Sequence, residues 1–281
     1  MAELRERYGN CVLVTGASSG IGLAFAHYLA TRGFRIIMVS DEGKKLHEIM
    51  TELKRTTPAD IHILPGDLAD RKFLHRITAA CRKYDPGIII NNAGYGVMGY
   101  YIQHDFEEYE RMLAVDETAM IYLTHHFARE FYIHNRKGAI INITSANNYF
   151  LKGIPFSSVY SASKNMVKNV TEAICYELKP YGIDVINVSP GPTDTGFQDK
   201  AGTNRLFWCE SPMNVVEQSF KYLGRKSSIL TNPYTRAGLA LYRLLPLPAS
   251  VKTGLRAKFF RDILGKKEHS SLDGVKKETV S

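Results

Sequence analysis

Residues 15–22 read Thr15-Gly16-Ala17-Ser18-Ser19-Gly20-Ile21-Gly22, and their placement decides the fold. They follow directly on the β-branched run Cys11–Thr15 and lead into a helical pattern over 23–32. Glycines at such a junction do separate jobs: one permits a tight turn, one lets backbone amides approach a pyrophosphate, one lets helix and strand pack closely. The helix N-terminus then offers unpaired amides and a partial positive charge to an anion. A lone glycine-rich turn carries little information. Between a first strand and a first helix it reads as the phosphate cradle of a dinucleotide site, with Gly16, Ser18, Ser19, Gly20, Ile21 and Gly22 as its lining.

Outward from the cradle, short buried-strand patterns at Cys11–Thr15, Arg35–Ser40, 61–64, 87–91, 139–144 and 184–189 alternate with amphipathic stretches at 23–32, 44–55, 72–83, 106–134 and 161–181. A late strand is expected at 228–231. This alternation predicts an α/β fold of Rossmann type, a doubly wound parallel sheet flanked by helices, with ligands bound beyond the carboxyl ends of the strands. No linker interrupts the chain before residue 195, and no repeat is present. The expected organisation is a catalytic domain over 1–232, a basic amphipathic helical extension over 233–266, and a disordered polar tail over 267–281.

Composition narrows the function classes. The chain has 281 residues, is 44% hydrophobic and carries a net charge of +8, enough for one large core. Residues 252–267 supply five of those excess positive charges. A basic tail without a nucleic-acid motif argues against nucleic-acid binding. The cysteines Cys11, Cys81, Cys175 and Cys209 form no CxxC pair and have no histidine at zinc spacing, so no metal site is expected and a reducing, cytoplasmic location is. No secretory signal or membrane-spanning run is visible.

The TGxxxGxG spacing resembles the short-chain dehydrogenase/reductase family. Asp67-Leu68 ends the third strand, where the resemblance implies contact with the adenine ring. Asn91-Asn92-Ala93-Gly94 ends the fourth and is similar to the family's NNAG, which implies cofactor contact at Asn92, Ala93 and Gly94. Pro190-Gly191-Pro192-Thr193-Asp194-Thr195 ends the sixth and is similar to PGxxxT. There the resemblance implies that the Thr193 backbone and the Thr195 hydroxyl hold the nicotinamide carboxamide, with Pro190 and Gly191 in the same cofactor-binding turn.

Tyr160-Ser161-Ala162-Ser163-Lys164 carries the chemistry. At i and i+4 the tyrosine and lysine share a helix face. A neighbouring ammonium and a positive nicotinamide ring both favour phenolate, so the Tyr160 pKa is expected to fall from its ordinary ~10. Tyr160 then exchanges a proton with the substrate oxygen, and the resemblance implies that Lys164 also binds the nicotinamide ribose. Ser145, in Asn142-Ile143-Thr144-Ser145, is similar to the second serine of the family's NxSS, which polarises the carbonyl. Its distance in sequence from Tyr160 is slightly longer than is usual in the family, so the loop between them must bulge.

Two positions depart from the family pattern. Val115-Asp116-Glu117-Thr118-Ala119 is similar to the family's VNxxG, so Asp116 stands in the fourth catalytic place where asparagine is usual. An aspartate accepts from the water leading to Lys164 and supports its charge, or it slows proton relay. The second outcome leaves open a dinucleotide-binding pseudoenzyme or sensor. At the end of the second strand, Ser40-Asp41-Glu42 replaces the basic residue of NADP-preferring relatives. A carboxylate there accepts from a ribose 2′-hydroxyl and repels a 2′-phosphate. The choice between NAD(H) and NADP(H) therefore leans to NAD(H).

Loops after these strands hold Tyr95, Val97, Met98, Tyr100 and Tyr101, then Tyr149, Phe150, Leu151, Ile154 and Phe156, then Phe197, Leu206, Phe207 and Trp208. They predict a small hydrophobic substrate: a steroid, retinoid, long-chain alcohol or acyl chain. Val251, Leu255, Phe259 and Ile263 recur every four residues among Lys252, Arg256, Lys258 and Arg261. Over 233–266 this fits a packed helix with a solvated basic face, the favoured reading, and also a lid, a dimer contact or peripheral membrane contact. This pattern resembles the 17β-hydroxysteroid and acyl-chain reductase branch. The family resemblance also implies a homo-oligomer, dimer or tetramer, formed through the 106–134 and 161–181 helices.

Overall fold

The first strand, Cys-Val-Leu-Val-Thr, is buried along its whole length, as a strand covered on both faces must be. In the computed structural model, which describes residues 2–150, 153–204, 206 and 208–264, it lies near the centre of a single sheet. The strands are β1 (Cys11–Thr15), β2 (Arg35–Ser40), β3 (Ile61–Pro65), β4 (Ile88–Asn91), β5 (Gly138–Ile143), β6 (Ile183–Ser189) and β7 (Ser228–Leu230). Their order is β3-β2-β1-β4-β5-β6-β7, and every pairing is parallel.

Alternation along β1 sorts two cores. Val12 and Val14 point to the layer with Phe25, Leu29, Leu46, Leu53 and Val215. Cys11 and Leu13 point to the other, with Leu74, Ile77, Leu123, Phe127 and Phe131. These residues belong to helices Gly20–Ala30, Gly43–Thr56 and Pro212–Tyr222 on one face and Arg71–Tyr84 and Met120–Ile133 on the other. The chain leaves β1 to one side for β2 and β3 and returns on the other for β4. That reversal opens a crevice at the carboxyl ends of β1 and β4, where sheets of this kind bind ligands.

Three features differ from the sequence expectation. The helix expected over 106–134 is broken into Phe106–Leu113 and Met120–Ile133 by a π-turn at Ala114–Ala119. Helices Ala2–Tyr8 and Pro212–Tyr222 carry no clear signal in the sequence pattern. The second starts on a capping Ser211 followed by Pro212, a start signal that a short and weakly patterned segment conceals. Beyond β7, the extension is two helices, Pro233–Leu244 and Ala249–Ile263, parted by Leu245-Pro246-Leu247-Pro248. The tail expected over 267–281 lies outside the described residues.

Candidate active site

A cleft of about 1280 Å³ runs over the carboxyl edge of the sheet from Ser40 to the C-terminal helices. Its floor is the glycine cradle. Gly16 takes φ +66°, and a Cβ there would meet Ala93 Cα at 2.8 Å. A Cβ on Gly22 would meet the Gly16 carbonyl oxygen at 2.2 Å, so the helix packs against its own loop only without a side chain. Gly20, at φ +54°, lies under the Thr195 methyl. Asn92 pins the cradle from below, donating from Nδ2 to the Thr15 carbonyl at 3.0 Å. The Thr15 hydroxyl accepts from the Asn92 and Ala93 amides at 3.0 and 3.1 Å. Thr15 opens the quoted glycine motif, but its part in tying the cradle to Asn92 and Ala93 depends on contacts distant in sequence and is not legible there.

On the β2 side of the cleft, Ser40, Asp41 and Glu42 line the end of the strand. Ser18 donates to Glu42 at 2.6 Å and lies 2.9 Å from the Ser40 hydroxyl. Lys45 pairs with Glu42 at 3.7 Å. Asp67 and Leu68 line the next part of the wall, and Asp67 is held by Arg111 at 2.7 Å. Glu42 joins the candidate residues; its adjacency to Asp41 was the available signal.

The π-turn at Ala114–Ala119 carries Asp116 into the core beneath the cleft, fully buried. Such turns recur at functional sites because the widened loop re-aims a side chain. Asp116 pairs with Lys164 Nζ at 2.8 Å and accepts from the Tyr95 amide at 3.0 Å. Gly94 is packed so tightly on this pair that a Cβ would stand 2.8 Å from Nζ. Helix Ser158–Leu178 places both Tyr160 and Lys164 in its buried face. Ser145 is the group that favours the Tyr160 phenolate, and its Oγ accepts from the Asn147 amide at 3.3 Å. Thr144 is tied instead to Asn187 and Ser189, at 2.6 and 2.9 Å, so of the two hydroxyls only Ser145 serves the cleft. The bulge expected between Ser145 and Tyr160 includes a short helical turn at Ala146–Tyr149 and Phe156 at φ +63°. That left-handed backbone is strained for a bulky residue and is held by the Gly99 amide on the Phe156 carbonyl at 2.9 Å.

For Tyr160 the protein groups alone act in the direction opposite to the expected fall, which counts in the charge of a bound nicotinamide. Burial, and after it the Asp116 charge, push its phenol up; only the Ser145 hydrogen bond pulls it down. The Asp116 carboxyl is itself pushed up by burial, against the pull of Lys164 and the Tyr95 amide. A phenol held protonated is a proton donor, which suits carbonyl reduction. Asp116→Asn removes one of the two raising influences. The alkaline fall of kcat for reduction, where phenol becomes phenolate, is therefore expected at lower pH in this variant. A pH–rate profile at saturating dinucleotide checks this; an unmoved limb would show that Asp116 does not set the phenol.

After β6, Pro190, Gly191, Thr193 and Thr195 line the cleft. Thr195 Oγ1 accepts from the Phe197 amide at 3.2 Å, and Thr193 Oγ1 donates to the Gly191 carbonyl at 3.0 Å. A buried carboxyl that the sequence does not reveal, Glu210, clamps this turn. It accepts from the Gly191 amide at 3.1 Å and from Thr231 at 2.6 Å. Burial pushes the Glu210 carboxyl up.

The substrate side is apolar and aromatic. Met98, Phe150, Phe156, Phe197, Leu206 and Trp208 line it, whereas Leu151 and Phe207 lie outside the described residues. In the last helix Lys258 and Arg261 are exposed, as the basic face predicts, but Arg256 and the apolar stripe depart from the expected arrangement. Arg256 is buried at 5% exposure, while Val251 and Leu255 are each 46% exposed. The reason is that Leu255, Phe259 and Ile263 face the cleft, and the helix closes its mouth through Asn204 N donating to Ile263 O at 2.8 Å.

A doubly wound sheet with a glycine cradle at its switch point, and tyrosine and lysine facing into it, defines a dinucleotide-dependent oxidoreductase. The family profile described as short chain dehydrogenase matches residues 10–206, and the chain belongs to that family. A 7beta-hydroxysteroid dehydrogenase of Clostridium sardiniense is 32% identical over 237 residues, covering 83% of this chain and 90% of that protein. An inactive hydroxysteroid dehydrogenase-like protein 1 of Homo sapiens is 30% identical over 192 residues, 67% of this chain and 57% of that protein. The solved structure of a short-chain dehydrogenase from Sphingobium yanoikuyae in complex with NADPH superposes with a TM-score of 0.73 at 27% identity, over 85% of this chain and 97% of that one. The chain is thus an oxidoreductase that transfers a hydride between a nicotinamide dinucleotide and a hydroxyl or carbonyl carbon. Among the described residues no helix is long and apolar enough to cross a membrane.

Proposed function

We propose that the chain reduces a bulky hydrophobic ketone of steroid type, or oxidises the matching secondary alcohol, with NAD(H). The observation that carries this reading is one continuous cleft in which Tyr160, Ser145 and Lys164 adjoin Phe150, Phe156, Phe197 and Trp208. The glycine cradle, with backbone where any Cβ would clash, fits a dinucleotide. Gly16, Ser18, Ser19, Gly20, Ile21 and Gly22 would hold its pyrophosphate, Asp67 and Leu68 its adenine, and Asn92, Ala93 and Gly94 its middle. Pro190, Gly191, Thr193 and Thr195 would hold the nicotinamide, which when bound supplies or accepts the hydride.

During reduction Ser145 donates a hydrogen bond to the carbonyl oxygen and stabilises the negative charge that develops there. Tyr160 gives its proton to the same oxygen. Lys164 keeps a positive charge near the phenolate left behind, its Nζ lying 5.7 Å from the ring centroid, and Asp116 positions that ammonium. The reading of an impaired pseudoenzyme is not favoured, since Asp116 occupies its place in a formed ion pair. The experiment is NADH consumption with a panel of ketones. Polycyclic hydrophobic ketones are expected to exceed short aliphatic ones in kcat/KM by about 100-fold or more, as a few buried ring carbons suffice for that; equal efficiency would overturn the substrate class.

For the dinucleotide, Asp41 and Glu42 both border the end of β2, and Arg111, a basic group on that side, is engaged by Asp67. A 2′-hydroxyl donates to such carboxylates and a 2′-phosphate is repelled. NADH at a hundred times its Kd is expected to stabilise the chain by about 2.7 kcal/mol in a thermal-shift series. NADPH at the same concentration is expected to do little; stronger stabilisation by NADPH would reverse the assignment.

Two looser readings rest on exposed apolar groups. Leu241 and Leu244, 63% and 80% exposed, support peripheral membrane contact through 233–266, testable by liposome co-sedimentation. The exposed rings of Tyr132, Tyr176 and Tyr181 support a homo-oligomer, testable by light scattering. Four free thiols support a reducing, cytoplasmic location.

A further inference from the structure

Arginine is rarely buried without a carboxylate partner, because a desolvated charge is costly unless it is paired. Arg256 breaks that rule. It lies in helix Ala249–Ile263 with 5% of its surface exposed and lines the cleft beside Leu255, Phe259 and Phe260. Its guanidinium donates to the Tyr242 hydroxyl at 2.7 Å and to the Thr253 hydroxyl at 2.9 Å. Nε has no partner. Among the described residues no carboxylate forms an ion pair with it. Two further cations stand around the same helices: Lys252 reaches over the same Tyr242 ring at 5.5 Å, and Arg243 donates to the Tyr149 carbonyl.

We propose that Arg256, with Tyr242, binds an anionic group at the far end of the substrate, so that the natural substrate is an amphipathic ketone or alcohol whose hydrophobic body ends in a carboxylate. This rests on the steroid-type reading above and deepens it. Phe150, Phe260 and Tyr242 line the same cleft as Ser145, Tyr160 and Arg256, with Phe150 packed on Tyr242 at 5.8 Å and on Phe260 at 6.4 Å. An apolar body that fills this wall delivers its terminal charge to Arg256 while its oxygen rests at Tyr160 and Ser145.

The other anion in the reaction, a dinucleotide phosphate, is excluded by topology. Leu239 of helix Pro233–Leu244 packs on Leu230 of β7, and Arg256 docks on Tyr242 of that same helix. The cradle assigned to the pyrophosphate follows β1, four strand spacings away in the order β1-β4-β5-β6-β7, roughly 19 Å along the sheet. A guanidinium is also the cation best shaped for a carboxylate, which it grips with two parallel donors.

The test compares one ketosteroid bearing a side-chain carboxylate with its methyl ester, at saturating NADH. The wild-type enzyme is expected to prefer the acid over the ester in kcat/KM by about 10- to 100-fold, mostly through KM, the range that a charge-assisted pair supplies. In Arg256→Gln that preference should collapse towards unity, and in Arg256→Lys part of it should survive. Binding of the acid, followed by tryptophan fluorescence of Trp208, should weaken in parallel. An acid-to-ester ratio near one in the wild type, or a ratio kept in Arg256→Gln, overturns the anion site and leaves ketone reduction standing. If the wild type neither binds nor turns over either compound, the steroid-type reading falls and the anion site with it. The wild-type ratio decides the question even should Arg256→Gln fail to fold.

Discussion

Tyr160→Phe is expected to lose about 10²- to 10⁴-fold in kcat, the usual contribution of a positioned general acid. The variant removes one oxygen from a buried ring that also packs on Phe197 at 5.9 Å between centroids, so the fold should persist. The thermal shift produced by NADH should be largely kept, since the glycine cradle and the Pro190–Thr195 turn are untouched. Loss of turnover with retained dinucleotide binding separates a chemical role from a structural one. Full turnover in Tyr160→Phe would show that the proton comes from elsewhere and would undo the mechanism.

Asp116→Ala has the second largest expected effect, and it falls on stability. Lys164 is 4% exposed at its side chain and Asp116 0%. Removing one member of such a pair leaves an uncompensated charge in the core, which costs about 3–5 kcal/mol. The Tyr95 amide, which donates to Asp116 at 3.0 Å, loses its acceptor as well. The midpoint of denaturant unfolding should fall accordingly, and Asp116→Asn should fall less because the amide still accepts from Tyr95. An Asp116→Ala midpoint equal to that of the wild type would mean that the lysine is hydrated or neutral in the folded chain, contrary to the geometry.

These two residues also mark where the sequence is legible and where it is not. The strands, the cradle and the strand-end motifs are written locally. Glycine spacing, period-two burial and β-branched runs are short-range patterns, so Gly16, Asn92 and Tyr160 are found without knowing what packs on them. Asp116 is visible as a departure from the family pattern, yet its effect on Tyr160 depends on how the π-turn brings the carboxylate to Lys164. No local propensity announces a π-turn inside a helical stretch, which explains both the unbroken helix expected over 106–134 and the expected lowering of the phenol. Glu210 escapes notice for a related reason. Its partners Gly191 and Thr231 lie on either side of it in sequence and meet it only in the folded chain.

Arg256 illustrates the same limit from the opposite side. The four-residue recurrence of Val251, Leu255, Phe259 and Ile263 suggests a buried stripe with a solvated basic face. Periodicity finds the stripe but not what it faces. Here Leu255, Phe259 and Ile263 face a cleft, and the arginine beside them is drawn inward by the hydroxyls of Tyr242 and Thr253.

In the proposed mechanism hydride passes between the dinucleotide and a substrate carbon while Tyr160 supplies the proton. Its most direct test is reduction of a bulky hydrophobic ketone by the wild-type chain with NADH deuterated at the nicotinamide C4 position, followed by mass analysis and NMR of the alcohol. The expected result is one deuterium on the carbinol carbon from the enzyme-selected face, none on oxygen after exchange, and a product yield reduced by at least about 10²-fold in Tyr160→Phe. Alcohol formed without deuterium on the carbinol carbon, using label from either face, would contradict the account.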